Sequence, residues 1–261
     1  MILAIDVGNT NIVLGLIENG EVGSVAPRMA TDVHKTEYEY AVAIETVLDF
    51  VGVDATEVEG AILSSVVWPL TNTLQKAIKL LTGKDALVVG KGLKTGVNIC
   101  IDDPGQVGAD LVVGAVAALA ITPGPVIVID MGTATTITVV DENARFLGGA
   151  ILPGLRLSMN ALASGTSQLP QISLEPPDKC IATNTVTCMQ SGAILGSAAM
   201  LDGMIERMEE ELGKKAAVIA TGGLAGSVIP YCKREIFYEP DLLLKGLAVL
   251  WEKNRRDHRG A

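Results

Sequence analysis

The chain opens with MILAIDVGNTN (residues 1–11), and VIVIDMGTATT (residues 126–136) repeats the same pattern. In both stretches an apolar run ends at an aspartate, Asp6 or Asp130, and a glycine follows two residues later. Such a run, bounded by a polar turn, is typical of a buried strand. Because strand and helix patterns follow each copy, the repeat predicts a duplicated α/β protein with a ligand cleft between its halves.

Hydrophobic periodicity extends this prediction along the whole chain. Strands are predicted over residues 1–6, 11–17, 61–67, 86–89, 126–130, 137–141, 146–152 and 217–221. Helices are predicted over residues 36–51, 71–81, 108–121, 155–164, 185–212 and 241–253. The strongest punctuation between the two repeats is Thr122-Pro123-Gly124-Pro125. We therefore predict one domain over residues 1–122 and a second over residues 123–261.

Composition excludes several classes of protein. The chain has 261 residues and 30 acidic against 20 basic side chains, a net charge of −10, which argues against nucleic acid or an anionic membrane surface as the main partner. The longest apolar stretch, residues 112–121, is about half of a membrane span. No signal-peptide pattern is present, and Cys100, Cys180, Cys188 and Cys232 lack a C-x-x-C spacing. We expect reduced thiols and a cytoplasmic protein.

Asp6 and Asp130 are candidates for phosphate and cation chemistry. An aspartate at a strand end can hold Mg²⁺ directly or through water, and a following glycine lets the backbone approach a phosphate. Amides of the turn and the Thr10 hydroxyl can donate to phosphate oxygens. Each aspartate alone could equally form an Asx-turn that ends its strand. Their occurrence in both copies of the repeat favours two phosphate loops.

Asp110 lies in Gly108-Ala109-Asp110, at the start of a predicted apolar helix. A carboxylate here could accept the proton of a hydroxyl that attacks phosphorus. An acidic residue in the first turn is also favoured simply by the helix dipole. Spacing alone leaves both interpretations open.

Several segments together resemble the type III pantothenate kinase family over nearly the whole chain. The matching segments, in chain order, are Asp6-Val7-Gly8-Asn9-Thr10-Asn11, Ser64-Ser65-Val66-Val67, Pro104-Gly105-Gln106-Val107-Gly108-Ala109-Asp110, Asp130-Met131-Gly132-Thr133-Ala134-Thr135-Thr136, Gly148-Gly149-Ala150-Ile151-Leu152-Pro153-Gly154, Thr166-Ser167-Gln168-Leu169-Pro170 and Asn184-Thr185. The resemblance implies the actin-like ATPase fold of two ribonuclease-H-like domains with a central cleft, and a homodimer. It implies ATP-dependent phosphorylation of pantothenate, the first step of coenzyme A synthesis, with Mg²⁺ and a monovalent cation (K⁺ or NH₄⁺).

The resemblance also implies roles for individual residues. Asp110 would be the catalytic base, Asp130 would bind the monovalent cation, and Asp6 would lie near the magnesium ion. The implied ATP-binding residues are Asp6, Val7, Gly8, Asn9, Thr10, Asn11, Ile12, Val13 and Thr133. The implied substrate-binding positions are Ile101, Gly108, Ala109, Asp110, Leu111 and Thr185.

Two of these positions depart from the family pattern. Leu111 stands where the family usually has Arg, and Ile101 where it usually has Tyr. Losing a guanidinium removes a charge-assisted hydrogen bond to an anion, of order 1.5–3 kcal/mol. Three functions therefore stay open: a pantothenate kinase, a kinase of the same fold acting on a different small alcohol, and a catalytically weak nucleotide-binding regulatory paralogue.

Overall fold

A computed structural model describes residues 1–23 and 26–255. Contacts divide the chain into two compact units. Unit 1 contains Met1–Val97, Asp102–Ile121 and residues 241–255, and unit 2 contains Asn98–Ile101 and Thr122–Pro240.

The described strands are β1 (Ile2–Val7), β2 (Asn11–Glu18), β3 (Glu21–Val22), β4 (Arg28–Ala30), β5 (Gly60–Ser65), β6 (Ala86–Val88), β7 (Asn98–Ile99), β8 (Val126–Met131), β9 (Ala134–Val140), β10 (Arg145–Pro153), β11 (Ala217–Thr221) and β12 (Phe237–Tyr238). The described α-helices are α1 (Glu37–Phe50), α2 (Trp68–Thr82), α3 (Ala109–Ile121), α4 (Leu155–Gly165), α5 (Thr185–Leu212), α6 (Ala225–Val228) and α7 (Leu242–Asn254).

Unit 1 is built on a mixed sheet in the order β3-β2-β1-β5-β6, with β4 also paired to β2. β1 runs antiparallel to β2 and parallel to β5. Leu3 and Ile5 of β1 face a core formed with α1 and α2, whereas Ala4 faces a core formed with α3 and α7. Because both faces are covered, every residue from Leu3 to Val7 is buried, as the unbroken apolar run indicates.

Unit 2 repeats this arrangement. Its sheet has the order β12-β11-β8-β9-β10-β7, and β8 runs antiparallel to β9 and parallel to β11. Residues from β8, β9, β11, α5 and α6 form its core. In each unit the strand that ends in Asp-x-Gly lies between its hairpin partner and a parallel strand, so the predicted duplication is confirmed at the level of the sheets.

The last helix differs from the sequence-based division. The prediction places residues 241–253 in the second domain, whereas α7 packs with α3 and β1 and belongs to unit 1. Residues 98–101 are likewise grouped with unit 2, where β7 pairs with β10. In both cases long-range packing, which no local pattern encodes, assigns the segment.

The observed boundaries of β5 and α2 also differ from the predicted ones, because turn residues lie between these two elements. The strand predicted over residues 61–67 ends at Ser65, because the Ser65 hydroxyl bonds with the N–H and carbonyl of Val67 at 3.2 Å and forms a turn. Helix α2 begins at Trp68, with Pro69 in its first turn, where no N–H is needed. Among the described residues, no helix is long and apolar enough to span a membrane.

Candidate active site

The loop between β1 and β2 is the first candidate phosphate site. Val7 pairs with Ile12, and the N–H of Gly8 donates to the carbonyl of Asn11 at 2.9 Å. Asn9, Thr10 and Asn11 are exposed. The buried strand therefore ends in a short loop that presents polar groups, as the sequence predicts.

Thr31, directly after β4, supports this loop from the side. Its hydroxyl donates to the carbonyl of Gly8 at 2.7 Å, and its N–H donates to the carbonyl of Thr10 at 3.0 Å. With the bond that the Asn11 carbonyl accepts from Gly8, three carbonyl oxygens of the loop accept hydrogen bonds from donors within the protein. These electronegative oxygens are therefore directed at protein donors and not at an anion bound to the loop. Because they do not repel the anion, the arrangement favours anion binding.

Asp6 lies just before this loop and is 9% exposed. Alternation along β1 places it on the same face as Ala4, the face covered by α3 and α7. Its partner on β5 is Ser64, which is fully buried. Val7 and Ile12, in contrast, bury their side chains in the core against α1 and α2, so any ATP contact they make is through main-chain atoms.

Asp110 lies in the first turn of α3, on the helix that covers the face bearing Asp6. Burial raises the pKa of its carboxyl above the ordinary aspartate value, although a hydrogen bond of 2.8 Å from the N–H of Leu111 opposes part of that rise. A Cβ at Gly108 would collide with Oδ1 of Asp110. A side chain at position 108 would therefore force this carboxylate to shift, whereas glycine leaves it in place. The role of Asp110 as a base stays a prediction, as does the alternative that it serves the helix dipole.

The second candidate loop joins β8 to β9 in unit 2. The N–H of Gly132 donates to the carbonyl of Ala134 at 3.0 Å, and Gly132 and Thr133 are exposed. Half-buried Asp130 pairs with Thr221 of β11. A parallel neighbour thus ends beside this loop, as it does beside the first loop.

Two glycines outside this loop make close approaches to it. Gly222 has φ +94°, and a Cβ there would lie 2.5 Å from Oδ1 of Asp130 and 2.6 Å from the main-chain nitrogen of Met131. A Cβ at Gly154 would collide with the carbonyl oxygen of Thr133. In the sequence these glycines stand in Gly222-Gly223 and Pro153-Gly154 and read only as turns. Their contact with the loop depends on β11 and β10 reaching it from distant parts of the chain.

Thr185 is the exposed first residue of α5, a helix capped by Asn184, whose side chain accepts the N–H of Thr187 at 3.0 Å. It lines an open groove of about 790 Å³ within unit 2. The other groove residues are Met159, Leu162, Leu169, Ala182, Thr183, Asn184, Cys188, Met189 and Gly192.

The remaining predicted substrate positions are divided between the units. Gly108, Ala109 and Leu111 are half-buried around Asp110 in unit 1. Ile101 is half-buried in unit 2, where it neighbours Gly148.

The oxygen donors suit hard cations. No group of three or more His, Cys, Asp or Glu side chains that could hold a metal ion occurs in residues 1–23 and 26–255. Asp6 and Asp130 each offer a carboxylate at a strand end, beside a loop suited to phosphate. This arrangement fits Mg²⁺, which is usually bound through one or two carboxylates together with water and substrate phosphates.

Comparison with known proteins finds a matching family model and a related sequence. The family model described as type III pantothenate kinase matches residues 2–207. A type III pantothenate kinase of Moorella thermoacetica is 42% identical over 254 residues, covering 97% of this chain and 100% of that protein.

Solved structures of more distant proteins share the fold. The activator of 2-hydroxyisocaproyl-CoA dehydratase from Clostridium difficile, with bound ADPNP, is 13% identical and superimposes with a TM-score of 0.56, covering 99% of this chain and 97% of its own. The inorganic polyphosphate/ATP-glucomannokinase of Arthrobacter sp. strain KM is 14% identical, with a TM-score of 0.51 and coverage of 98% and 99%. These likenesses confirm the predicted actin-like ATPase fold class.

Proposed function

Since the chain belongs to the type III pantothenate kinase family, we propose that it transfers the γ-phosphoryl group of ATP to the hydroxyl of pantothenate. The product is 4′-phosphopantothenate, and the reaction is the first step of coenzyme A biosynthesis. The observation that carries the proposal is Asp110, a half-buried carboxylate whose pKa is raised by burial and whose Oδ1 a Cβ at position 108 would meet.

Asp110 acts as the general base. Its carboxylate accepts the proton of the pantothenate hydroxyl while the hydroxyl oxygen forms a bond to the γ-phosphorus, and the bond from that phosphorus to the β-γ bridging oxygen breaks to release ADP. A base is most effective when its pKa approaches the operating pH, so the rise caused by burial strengthens Asp110 for this task. General-base catalysis contributes typically about 10²–10⁴-fold to a rate.

The nucleotide side of the site rests on the two loops. We assign Gly8, Asn9, Thr10 and Asn11 to the ATP phosphates, with main-chain contacts from Val7 and Ile12, a contact from Val13, and Thr133 as a further ATP contact. Asp6 would hold Mg²⁺ through phosphate or water, and Asp130 would hold a monovalent cation. When bound, Mg²⁺ supplies neutralisation of charge on the transferred phosphoryl group.

Gly108, Ala109 and Thr185 are assigned to pantothenate. Leu111 and Ile101 offer this substrate apolar surface where the family usually places polar groups, and that departure supports a second candidate function, phosphorylation of a less anionic small alcohol. The family resemblance further supports a homodimer and a cytoplasmic location.

The test offers ATP and Mg²⁺, with K⁺ or Na⁺, to the purified protein together with pantothenate or a panel of other small alcohols. Phosphorylated products are identified by mass spectrometry. We expect 4′-phosphopantothenate, more of it with K⁺, and a loss of about 10²-fold or more in kcat for Asp110→Asn. Nucleotide binding by this variant should be retained. Asp49→Asn, an exposed aspartate on α1, is the matched control.

Three outcomes contradict the proposal or part of it. Turnover of another alcohol without turnover of pantothenate would assign the second candidate function. Nucleotide binding without phosphorylation of any alcohol would leave the regulatory paralogue. Unchanged turnover by Asp110→Asn would remove this residue from the role of base.

A further inference from the structure

Ser64 carries an unusual buried hydroxyl. Among the side chains of residues 1–23 and 26–255, two buried polar atoms lack a hydrogen-bond partner, Oγ of Ser64 and Nε of Arg234. The Arg234 guanidinium is otherwise engaged through its NH2 group, which bonds to Glu209 and to the carbonyl of Ala216, each at 2.8 Å. Ser64 is 0% exposed, and its hydroxyl, the only polar group of its side chain, makes no hydrogen bond. An unsatisfied buried polar group is rare in folded proteins and calls for a reason.

The position of Ser64 suggests that reason. It is the direct partner of Asp6 across the parallel pair of β1 and β5. Neighbouring strands lie about 4.8 Å apart, and side chains at paired positions point to the same face of the sheet. On β5, Ile62 faces the core against α3 and α7, and Ser64, two residues later, shares that face. This is the face covered by the helix that carries Asp110.

The neighbouring serine, Ser65, has a bonded hydroxyl, so the missing hydrogen bond is specific to position 64. Ser65 is half-buried, and its hydroxyl is satisfied by both the N–H and the carbonyl of Val67. Alanine at position 64 would avoid the desolvation of a hydroxyl. A serine kept unpaired at the strand position beside Asp6 is therefore disfavoured for folding, which is typical of residues retained for function.

We propose that Ser64 is a positioning residue for Asp6. When Asp6 receives the cation and phosphates of ATP, the Ser64 hydroxyl donates a hydrogen bond to the Asp6 carboxylate and holds it in one orientation. The two side chains are not hydrogen-bonded in the structure described, so the bond forms by rotation of side chains whose strands are already adjacent. The inference rests on the proposed ATP-dependent function and adds a residue to the nucleotide side of the site.

The experiment compares Ser64→Ala with the wild type in two measurements. Thermal unfolding without nucleotide should show a melting temperature equal to or above that of the wild type, because the substitution removes an unpaired buried hydroxyl. The Mg²⁺ concentration that gives half of the ATP-induced stabilisation should rise about tenfold, at the lower end of the 10–100-fold cost of removing a residue that orients a metal-binding group. The second measurement needs no acceptor alcohol, so it stays valid even if pantothenate is not the substrate.

Two further variants keep the result interpretable. Ser191→Ala removes another buried hydroxyl, one that donates to the carbonyl of Cys180 at 2.7 Å, and should lower the melting temperature while leaving the Mg²⁺ dependence unchanged. Ser64→Cys keeps a weak hydrogen-bond donor. The Mg²⁺ concentration that gives half of the ATP-induced stabilisation should therefore lie between the values for the wild type and Ser64→Ala. A Ser64→Ala protein with wild-type Mg²⁺ dependence would overturn the proposal. So would a variant whose only defect is a lower melting temperature, since Ser64 would then be structural.

Discussion

In the proposed role of Asp110 as base, catalysis and folding make opposite demands on one carboxyl group. Proton abstraction needs the charged carboxylate, whereas burial at the start of α3 favours the neutral acid and so raises the pKa. Gly108 accommodates the group, since any side chain at that position would meet Oδ1 of Asp110. The proposed base is thus kept at some cost in folding stability, as is common in active sites.

Asp110→Asn should therefore be more stable than the wild type at neutral pH, by about 1 kcal/mol, the usual size of a stabilising substitution. The pKa of Asp110 is higher in the folded than in the unfolded protein, so the folded state binds more protons. Wild-type stability consequently falls as pH rises from the ordinary aspartate value of 3.8 through the raised pKa. Asparagine does not titrate, so the variant's advantage should grow across that window and then level off.

Urea unfolding at a series of pH values measures this difference. Asp49→Asn, at an exposed position, controls for the loss of one negative charge from an acidic protein. If Asp110→Asn is less stable than the wild type above the pH window, the carboxylate contributes favourable contacts and the argument from burial is wrong.

Among the elements, the short strand β4 positions a residue that supports the loop between β1 and β2. It spans three residues, Arg28–Ala30, and pairs with β2 next to the first candidate phosphate loop. Its pairing brings Thr31 to the loop, where one residue bonds to the carbonyls of both Gly8 and Thr10. A strand this short has no measurable periodicity, and the sequence alone therefore does not predict it.

Thr31→Val retains the shape of the side chain and removes its hydroxyl. The loss of one hydrogen bond, worth about 0.5–1.5 kcal/mol, should loosen the loop and weaken ATP binding by roughly 2- to 12-fold. The KM for ATP should rise accordingly, while kcat at saturating ATP and the KM for pantothenate change little. Calorimetric titration with a non-hydrolysable ATP analogue and steady-state kinetics measure these effects.

Thr46→Val on α1 is the matched control, since its exposed hydroxyl donates only to the carbonyl of Val42 at 2.8 Å within the helix. Thr31→Ser should retain near-normal ATP affinity. An ATP affinity for Thr31→Val equal to that of the wild type would show that the loop does not depend on this contact.

For the whole molecule, the main result concerns the last helix. Leu244, Leu247 and Leu250 of α7 are buried with Ala4 and Ile62 in the second core of unit 1. At Gly246 the helix approaches α3 so closely that a Cβ would collide with the carbonyl of Val113. Helix α7 thus completes the core of the unit that contains β1.

Leu247→Ala should destabilise unit 1 by about 2–5 kcal/mol, the usual cost of this change in a core. Both tryptophans of the protein, Trp68 and Trp251, lie in unit 1, so their fluorescence during urea unfolding reports this unit. Leu80→Ala on α2, at a position 51% exposed, is the matched control and should have a small effect. An unchanged tryptophan transition for Leu247→Ala would show that α7 does not support unit 1.

Much of the molecule follows from local patterns. Apolar runs such as Ile2–Val7 and Val126–Met131 predict their own strands, and the helix over residues 36–51 is closely matched by α1, whose cap is a Thr36–Glu39 capping box. The aspartates that end the two repeated strands, and Asp110 at a helix start, are also visible as candidates without a structure. These features depend on residues close together in sequence. Their periodicity and turn chemistry are therefore readable without knowing how distant segments pack.

The sequence by itself therefore determined the duplicated α/β class, the two Asp-x-Gly loops and the candidate base. Tertiary structure alone decided which distant residues complete them: Thr31 on the first loop, Ser64 beside Asp6, Gly222 and Gly154 on the second loop, and α7 within unit 1. The physical reason is that strand order and the burial of a particular side chain depend on packing between segments far apart in the chain. Such packing leaves no periodic signal in the residues on which it acts.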